Sequence, residues 1–171
     1  MQAGLRAGES LTGLDELLGG SDGALSLMRQ AAAALECGPM FITVIGGCDA
    51  WTLTQSVEFF GEAMEISKAL GVRMSFETHR SRCLFNPWTT REILLQLPAM
   101  ELTCDFSHWC VVCERLIDTE PEIIALCAER AHHIHARVGY DQGPPRGPTS
   151  ADPSAAGKHS LAPVQERSCR R

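Results

Sequence analysis

Short apolar runs alternate with amphipathic helical patterns through the middle of this chain, and the pattern repeats about every 30 residues. Runs of this kind, bounded by Gly, Pro and polar residues, predict buried strands. Because alternation of strand and helix with short loops is typical of right-handed βαβ units, we expect an α/β fold with about four parallel strands. The predicted strands are residues 40–44, 72–76, 102–105 and 132–138.

Helix signals separate these strands. Each signal consists of N-cap residues or an early proline, followed by apolar residues at helical spacing. A shorter helical pattern over 109–116 follows the third strand. The main helices are predicted to begin at Ser21-Asp22, at about Thr52, at Asn86-Pro87 and at Thr119.

The two ends of the chain differ in composition from its middle. Residues 1–20 are rich in Gly and small polar residues, and residues 141–171 are dominated by Pro, Gly, Ser, Ala and Arg without periodicity. Such segments bury too little apolar surface to fold. We therefore expect a flexible lead at 1–20, one folded domain at 21–140 and a disordered tail at 141–171.

The net charge, the apolar segments and the cysteines argue against several classes of protein. The formal net charge is −6 and basic residues form no stripe, which argues against a nucleic-acid partner. No segment of the chain approaches the roughly 20 uninterrupted apolar residues of a membrane span. The eight cysteines are scattered through predicted strands and helices, and Cys110-Val-Val-Cys113 lacks the second pair that a zinc site needs. We expect a cytoplasmic protein with reduced thiols and no membrane partner.

Three successive predicted strands end in, or are followed by, residues that commonly bind metals. These residues are Glu77, Asp105 and either His133 or His135. The carboxyl ends of parallel strands lie at one edge of a sheet, so side chains about 30 residues apart in the chain can converge there. Two carboxylates and one imidazole suit a divalent cation such as Mn, Co, Mg, Fe or Zn, with positions open to water or substrate.

The alternation of side chains between the two faces of a strand helps to choose among the candidate histidine ligands. His133 and His135 share one face of the predicted fourth strand, and His132 lies on the other. His135 is closer to the end of the strand and is therefore the preferred ligand. Arg137 lies beyond it on the same face and is suited to an anionic or polyhydroxyl substrate. His108, on the loop after the third strand, is expected either to orient another group or to touch the substrate.

Other residues near the strand ends are candidates for a substrate site. His79 and Arg80 follow the second strand and form either a surface salt-bridge cluster or substrate contacts. Three tryptophans, Trp51, Trp88 and Trp109, lie near predicted strand-end loops, where they either line a sugar site or pack in the core.

Four sequence motifs follow one another along the chain. They are Gly47-Cys-Asp-Ala-Trp51, Glu77-Thr-His-Arg80 with Asn86-Pro-Trp88, Asp105-Phe-Ser-His-Trp109, and His133-Ile-His-Ala-Arg-Val-Gly-Tyr140 with Gln142-Gly-Pro144. In this order they resemble the sugar phosphate isomerase/epimerase proteins of the xylose isomerase-like TIM-barrel superfamily. The resemblance covers roughly residues 40–144.

The resemblance implies a partial TIM barrel and a metal-dependent reaction. It implies a divalent metal held by Glu77, Asp105 and His135, and a substrate contact from His108. The implied reaction is aldose–ketose isomerisation or epimerisation of a sugar or sugar phosphate, by proton transfer next to a carbonyl. In such chemistry the metal polarises the substrate oxygens while a carboxylate moves the proton, which makes Glu77 and His108 the catalytic candidates.

The chain differs from this family in its number of strand–helix units. It shows four strand–helix units, which resemble the fourth to seventh of the eight in a full barrel. The family's last strand, whose glutamate is both fourth ligand and catalytic base, has no counterpart after Gln142-Gly-Pro144.

Three hypotheses about function stay open. The first is an isomerase or epimerase, with a homo-oligomer left open. The second is a non-catalytic, truncated remnant that binds metal or pairs with another half-barrel. The third is metal-assisted phosphodiester hydrolysis, against which the acidic charge counts.

Overall fold

Four short strands form a parallel sheet in the computed structural model, which describes residues 22–137. They pair in chain order, and every neighbouring pair is parallel. The predicted α/β class with four parallel strands is therefore confirmed. The strands are β1 (Ile42–Val44), β2 (Met74–Glu77), β3 (Leu102–Cys104) and β4 (Ala131–Ile134).

Five helices accompany the sheet in the described residues. They are α1 (Asp22–Leu35), α2 (Leu53–Leu70), α3 (Pro87–Gln96), α4 (Ser107–Cys113) and α5 (Pro121–Glu129). The local sequence sets their ends. Thr52 and Gln55 form a capping box at the start of α2, and Gly71 ends that helix with φ of 66°, a left-handed conformation that suits glycine. Asn86 accepts a 2.8 Å hydrogen bond from Thr89 N at the start of α3.

The two faces of the sheet carry different side chains. In β2, Met74 and Phe76 belong to the apolar core, whereas Ser75 and Glu77 alternate to the opposite face. Ser75 Oγ lies 2.7 Å from Thr103 Oγ1 of the neighbouring strand, and both residues are fully buried. One face is therefore apolar, and the other is lined by hydroxyl groups with a carboxylate at its end.

The helices pack against the apolar face. Neighbouring helices contact one another: α1 packs against α2, α2 against α3, and α3 against α5. Right-handed crossovers between parallel strands in chain order would place the connecting helices on one side of the sheet, whereas a doubly wound sheet reverses its strand order. The arrangement is compatible with the predicted arc of a TIM barrel. Fully buried core side chains include Phe60, Ala63, Ile66, Ile93, Leu94 and Cys127.

Two strand boundaries differ from the prediction in ways that concern the site. β2 spans 74–77 rather than 72–76, so Glu77 is the last residue of the strand. β4 begins at Ala131 and ends at Ile134 rather than running over 132–138, so His135 and Arg137 follow the strand. β1 is also shorter than predicted, because Met40 lies in the preceding loop with 90% of its surface exposed.

The short helix after β3 begins earlier than predicted. α4 starts at Ser107 rather than at 109, which places His108 on a helix and corrects the prediction of a loop. The physical reason is that Asp105 Oδ1 accepts a 3.2 Å hydrogen bond from the backbone N–H of Ser107. A carboxylate in this position satisfies a backbone donor that the first helical turn leaves free.

Several predictions lie outside the described residues. These are the flexible lead, the disordered tail, the N-cap at Ser21 and the predicted end of the fourth strand at 138. Within residues 22–137, no helix has both the length and the apolar character needed to cross a bilayer.

Candidate metal centre

The three predicted ligands lie at the carboxyl ends of three adjacent strands. Glu77 ends β2, Asp105 directly follows β3, and His135 directly follows β4. The parallel ladder continues to this level, because His135 N donates to Cys104 O at 3.1 Å. One ligand atom from each of the three residues lies within 4.8 Å of the other two.

A register shift between β3 and β4 sets the position of His135. Leu102 pairs with Ala131, but the next residue, Thr103, pairs with His133. The additional residue on β4 is a bulge, which re-aims the side chains that follow it. The bulge brings His135 level with the residue after β3. His132 instead packs edge-on against Phe41, with ring centroids 4.8 Å apart, and His133 is exposed.

Asp105 is fully buried and its two oxygens have different surroundings. Oδ1 accepts hydrogen bonds from Ser107 N at 3.2 Å and from Ser107 Oγ at 2.5 Å. Oδ2 lies 3.6 Å from His108 Nε2 and 3.0 Å from Arg137 Nε. One oxygen is thus fixed by the start of α4, and the other is presented to the cluster.

Several buried polar atoms of the cluster have no hydrogen-bond partner among residues 22–137. They are Asp105 Oδ2, His135 Nδ1 and both ring nitrogens of His108. Arg137 Nε forms an ion pair with Oδ2 at 3.0 Å. Folded proteins seldom leave buried polar atoms unpaired unless a ligand, ion or water pairs with them. A divalent cation would accept lone pairs from the carboxylates and an imidazole, so these residues fit the implied metal.

Electrostatics also favours a cation here. Glu77 is 4% exposed and Asp105 is 0% exposed, and burying two carboxylates side by side is costly unless positive charge accompanies them. Arg137 supplies part of that charge, but 43% of its side chain is exposed. Because Arg137 borders Oδ2, it must shift or share that oxygen when a cation binds.

His108 is neutral at physiological pH. Burial lowers the pKa of His108 from 6.5 to about 4; Asp105 opposes this change, whereas the nearby His79, Arg137 and Arg80 add to it. A neutral imidazole offers one nitrogen with a lone pair and one N–H donor. It is therefore suited to bind a cation or to exchange hydrogen bonds with a hydroxyl group.

The stability of the metal-free protein should depend on pH through His108. Between pH 6.5 and about 4 the unfolded chain binds a proton at this residue and the folded chain does not, so stability falls as pH decreases through this window. The loss is on the order of a few kcal/mol, because each pKa unit corresponds to roughly 1.4 kcal/mol. Urea unfolding in EDTA at several pH values measures it. The His108→Gln variant should show a shallower dependence on pH, and equal slopes for the two proteins would contradict the prediction.

The residues predicted to contact substrate differ in their exposure to solvent. His79 packs against His108, with ring centroids 3.9 Å apart, and Arg80 is exposed beside it. Trp51 and Trp88 are 37% and 46% exposed. Trp109 is fully buried, and its Nε1 donates to Leu84 O at 2.9 Å. The hypothesis that Trp109 contacts substrate is therefore corrected, because the helix turns this side chain into the core.

Two residues that support the site were missed. Ser107 holds Asp105 Oδ1, and the Asp-x-Ser spacing is a known local hydrogen-bonding pattern that was available in the sequence. Thr78 Oγ1 accepts a 2.8 Å hydrogen bond from Asp105 N. This contact joins the residues that directly follow β2 and β3, and no local pattern in the sequence indicates it.

Replacing Thr78 with Val should destabilise the protein by about 1–3 kcal/mol. The change keeps the shape of the side chain but leaves the buried N–H of Asp105 without an acceptor. Urea unfolding measures the loss. Thr54→Val, at an exposed position of α2, is the matched control and should change stability by less than about 0.5 kcal/mol. Equal effects for the two variants would show that Thr78 does not support the site.

Because no match to a known protein indicates a function, the function is inferred from the geometry of the candidate metal centre. No protein-family model and no curated protein matches this sequence.

Proposed function

We propose that this chain is a divalent-metal-dependent protein of the isomerase or epimerase type, acting on a sugar or sugar phosphate. The observation that carries the proposal is the convergence of Glu77, Asp105 and His135 at the ends of adjacent strands, with their ligand atoms within 4.8 Å of one another. Mn, Co, Mg, Fe and Zn all suit two carboxylates and one imidazole. A bound cation would polarise two neighbouring oxygens of the substrate.

Glu77 is the candidate for proton transfer. A carboxylate that binds a cation through one oxygen retains the other, which can accept the proton from the carbon next to the substrate carbonyl. Delivery of a proton to the opposite face of the same carbon, which requires a second proton donor on that face, gives an epimer. Return of the abstracted proton to the former carbonyl carbon, with a proton moving between the two oxygens, gives the isomer. Neither path changes the overall oxidation state.

Two further residues have the position and the hydrogen-bonding groups to bind substrate. His108 Nε2 lies 3.8 Å from Glu77 Oε1 and 3.6 Å from Asp105 Oδ2, so its neutral ring can exchange a proton with a hydroxyl group held there. Arg137 is partly exposed at the same edge of the sheet, and its guanidinium is suited to a phosphate or to paired hydroxyls.

Deuterium exchange tests the reaction class without knowledge of the natural substrate. The full chain is incubated with Mn²⁺ in D₂O with a panel of aldoses, ketoses and their phosphates, and NMR follows the C–H next to the carbonyl. We expect metal-dependent exchange for at least one compound and a loss of about 100-fold or more in Glu77→Gln. Glu65→Gln is a matched control at an exposed position of α2. Metal binding without exchange of any compound would overturn the enzyme proposal.

A second candidate function is a non-catalytic half-barrel that binds metal and pairs with another half. It is favoured by the open edges of the sheet, since the outer edges of β1 and β4 have no strand partner among residues 22–137. Unpaired strand edges attract further strands. Analytical ultracentrifugation tests the pairing: a homo-oligomer, together with no deuterium exchange, supports this candidate, and a monomer at all concentrations opposes it.

The proposed location is the cytoplasm. The seven cysteines within the described residues are all free thiols, and burial raises the pKa of several of them, among them Cys127 to about 12. Protonated, buried thiols are typical of proteins in a reducing compartment.

A further inference from the structure

The two oxygens of Glu77 face two different histidines. Oε2 lies 3.3 Å from His135 Nδ1, and Oε1 lies 3.8 Å from His108 Nε2. Glu77 thereby belongs to two groups of possible ligands, one with Asp105 and His135 and the other with His79 and His108, each with ligand atoms within 4.8 Å. We propose that Glu77 bridges two divalent cations and that His79 and His108 hold the second one.

The hydrogen bond of His79 prepares its other nitrogen for a cation. Its Nδ1 lies 2.6 Å from the carbonyl oxygen of Arg80. A carbonyl only accepts, so Nδ1 carries the proton and Nε2 carries the free lone pair. Histidines that bind metals commonly donate their other N–H to a backbone carbonyl in this way, which fixes the tautomer and the orientation of the ring.

His108 supplies an independent indication of a ligand. It is 2% exposed, and neither of its ring nitrogens has a hydrogen-bond partner among residues 22–137. The start of α4 and the loop after β2 bring its ring to 3.9 Å from the ring of His79, measured between centroids. A buried imidazole without partners, beside a second imidazole and a carboxylate, is explained by a cation that accepts its lone pair.

The two groups favour different metals. Asp105, His135 and Glu77 offer more oxygen than nitrogen, which suits Mn²⁺ or Mg²⁺ as well as Zn²⁺. Two histidines and a glutamate form a known zinc ligand set, and Co²⁺ commonly replaces zinc in such sites. Bridging carboxylates occur where two metals lie about 3.5–4 Å apart.

The second cation has a consequence for the proposed reaction, on which this inference rests through Glu77. When both oxygens of Glu77 bind cations, neither can accept a proton from a substrate. Occupation of the second position should therefore suppress proton transfer by Glu77 while leaving the first cation bound.

The number of ions bound per chain tests the inference. Equilibrium dialysis of the full chain against Co²⁺ alone, with the visible spectrum of bound Co²⁺ as a second readout, should give two site-specific ions for the wild type. His79→Ala and His135→Ala should each lose one ion, and Glu77→Gln should weaken both by about 10-fold or more. His132→Ala removes an imidazole that packs against Phe41 and belongs to neither group, and it should retain both ions. Thermal unfolding confirms that each variant is folded.

The other outcomes separate this inference from the proposed function. If His135→Ala loses an ion and His79→Ala binds as the wild type does, the second site is wrong and the first stands. If both variants lose the same single ion, one cation is shared by all the ligands and the bridge is wrong. If neither variant changes the binding of Co²⁺, both the bridge and the proposed metal centre are wrong.

Discussion

Replacing Asp105 with Asn is expected to weaken binding of Mn²⁺ or Co²⁺ by about 100-fold or more. Asn keeps the size of the side chain and an oxygen that can accept from Ser107, but it removes the charge that Oδ2 presents to the cluster. Changes to residues that merely support metal ligands already cost about 10- to 100-fold, so loss of a ligand charge should cost at least as much. Isothermal titration calorimetry with each metal measures the change.

The matched control for this prediction is Asp118→Asn. Asp118 is exposed and lies outside both groups of possible ligands, so the variant makes the same change of net charge without touching the site. It should bind metal as the wild type does. Similar affinities for the Asp105 and Asp118 variants would mean that Asp105 is not a ligand, and its burial would then need another explanation.

Replacing Trp109 with Ala is expected to destabilise the protein by about 3–5 kcal/mol, the range for deleting a fully buried large aromatic side chain. Trp109 has no exposed surface, and it packs against Phe106 with ring centroids 4.9 Å apart. The substitution also leaves Leu84 O without the hydrogen bond from Nε1, which adds to the loss. Urea unfolding in EDTA isolates this effect from any effect on metal binding.

Trp88→Ala provides the comparison for Trp109. Trp88 is 46% exposed and lies 5.6 Å from the guanidinium carbon of Arg115, measured to the ring centroid. Its removal should cost about 1 kcal/mol or less, because an exposed cation–π contact is worth about 0.5–1 kcal/mol. Equal losses for the two variants would contradict the burial of Trp109, and a small loss at Trp109 would reopen its role as a substrate contact.

Much of the fold was predictable because its signals are local. The apolar runs and the Thr52 and Asn86 caps define strands and helices without reference to distant residues. Parallel pairing follows from the alternation of strand and helix. The placement of Glu77, Asp105 and His135 at one edge follows from the same topology, because the carboxyl ends of parallel strands share an edge.

The remaining features depend on contacts that the sequence does not display. The bulge in β4 brings His135 level with the end of β3, and no local pattern predicts it. The hydrogen bond from Asp105 N to Thr78 joins residues 27 positions apart. Trp109 is fully buried, and its Nε1 donates to Leu84 O, 25 positions earlier in the chain. Local patterns do not predict these features because strand register and side-chain burial depend on tertiary packing.

The most direct test of the metal centre is anomalous X-ray scattering from crystals of the full chain grown with Mn²⁺. We expect a peak about 2–2.4 Å from a carboxylate oxygen of Glu77, from Oδ2 of Asp105 and from a ring nitrogen of His135, with Arg137 moved away from or sharing Oδ2. A saturating concentration of Mn²⁺ that gives no peak among these three residues, with Arg137 Nε still about 3.0 Å from Asp105 Oδ2, would contradict it.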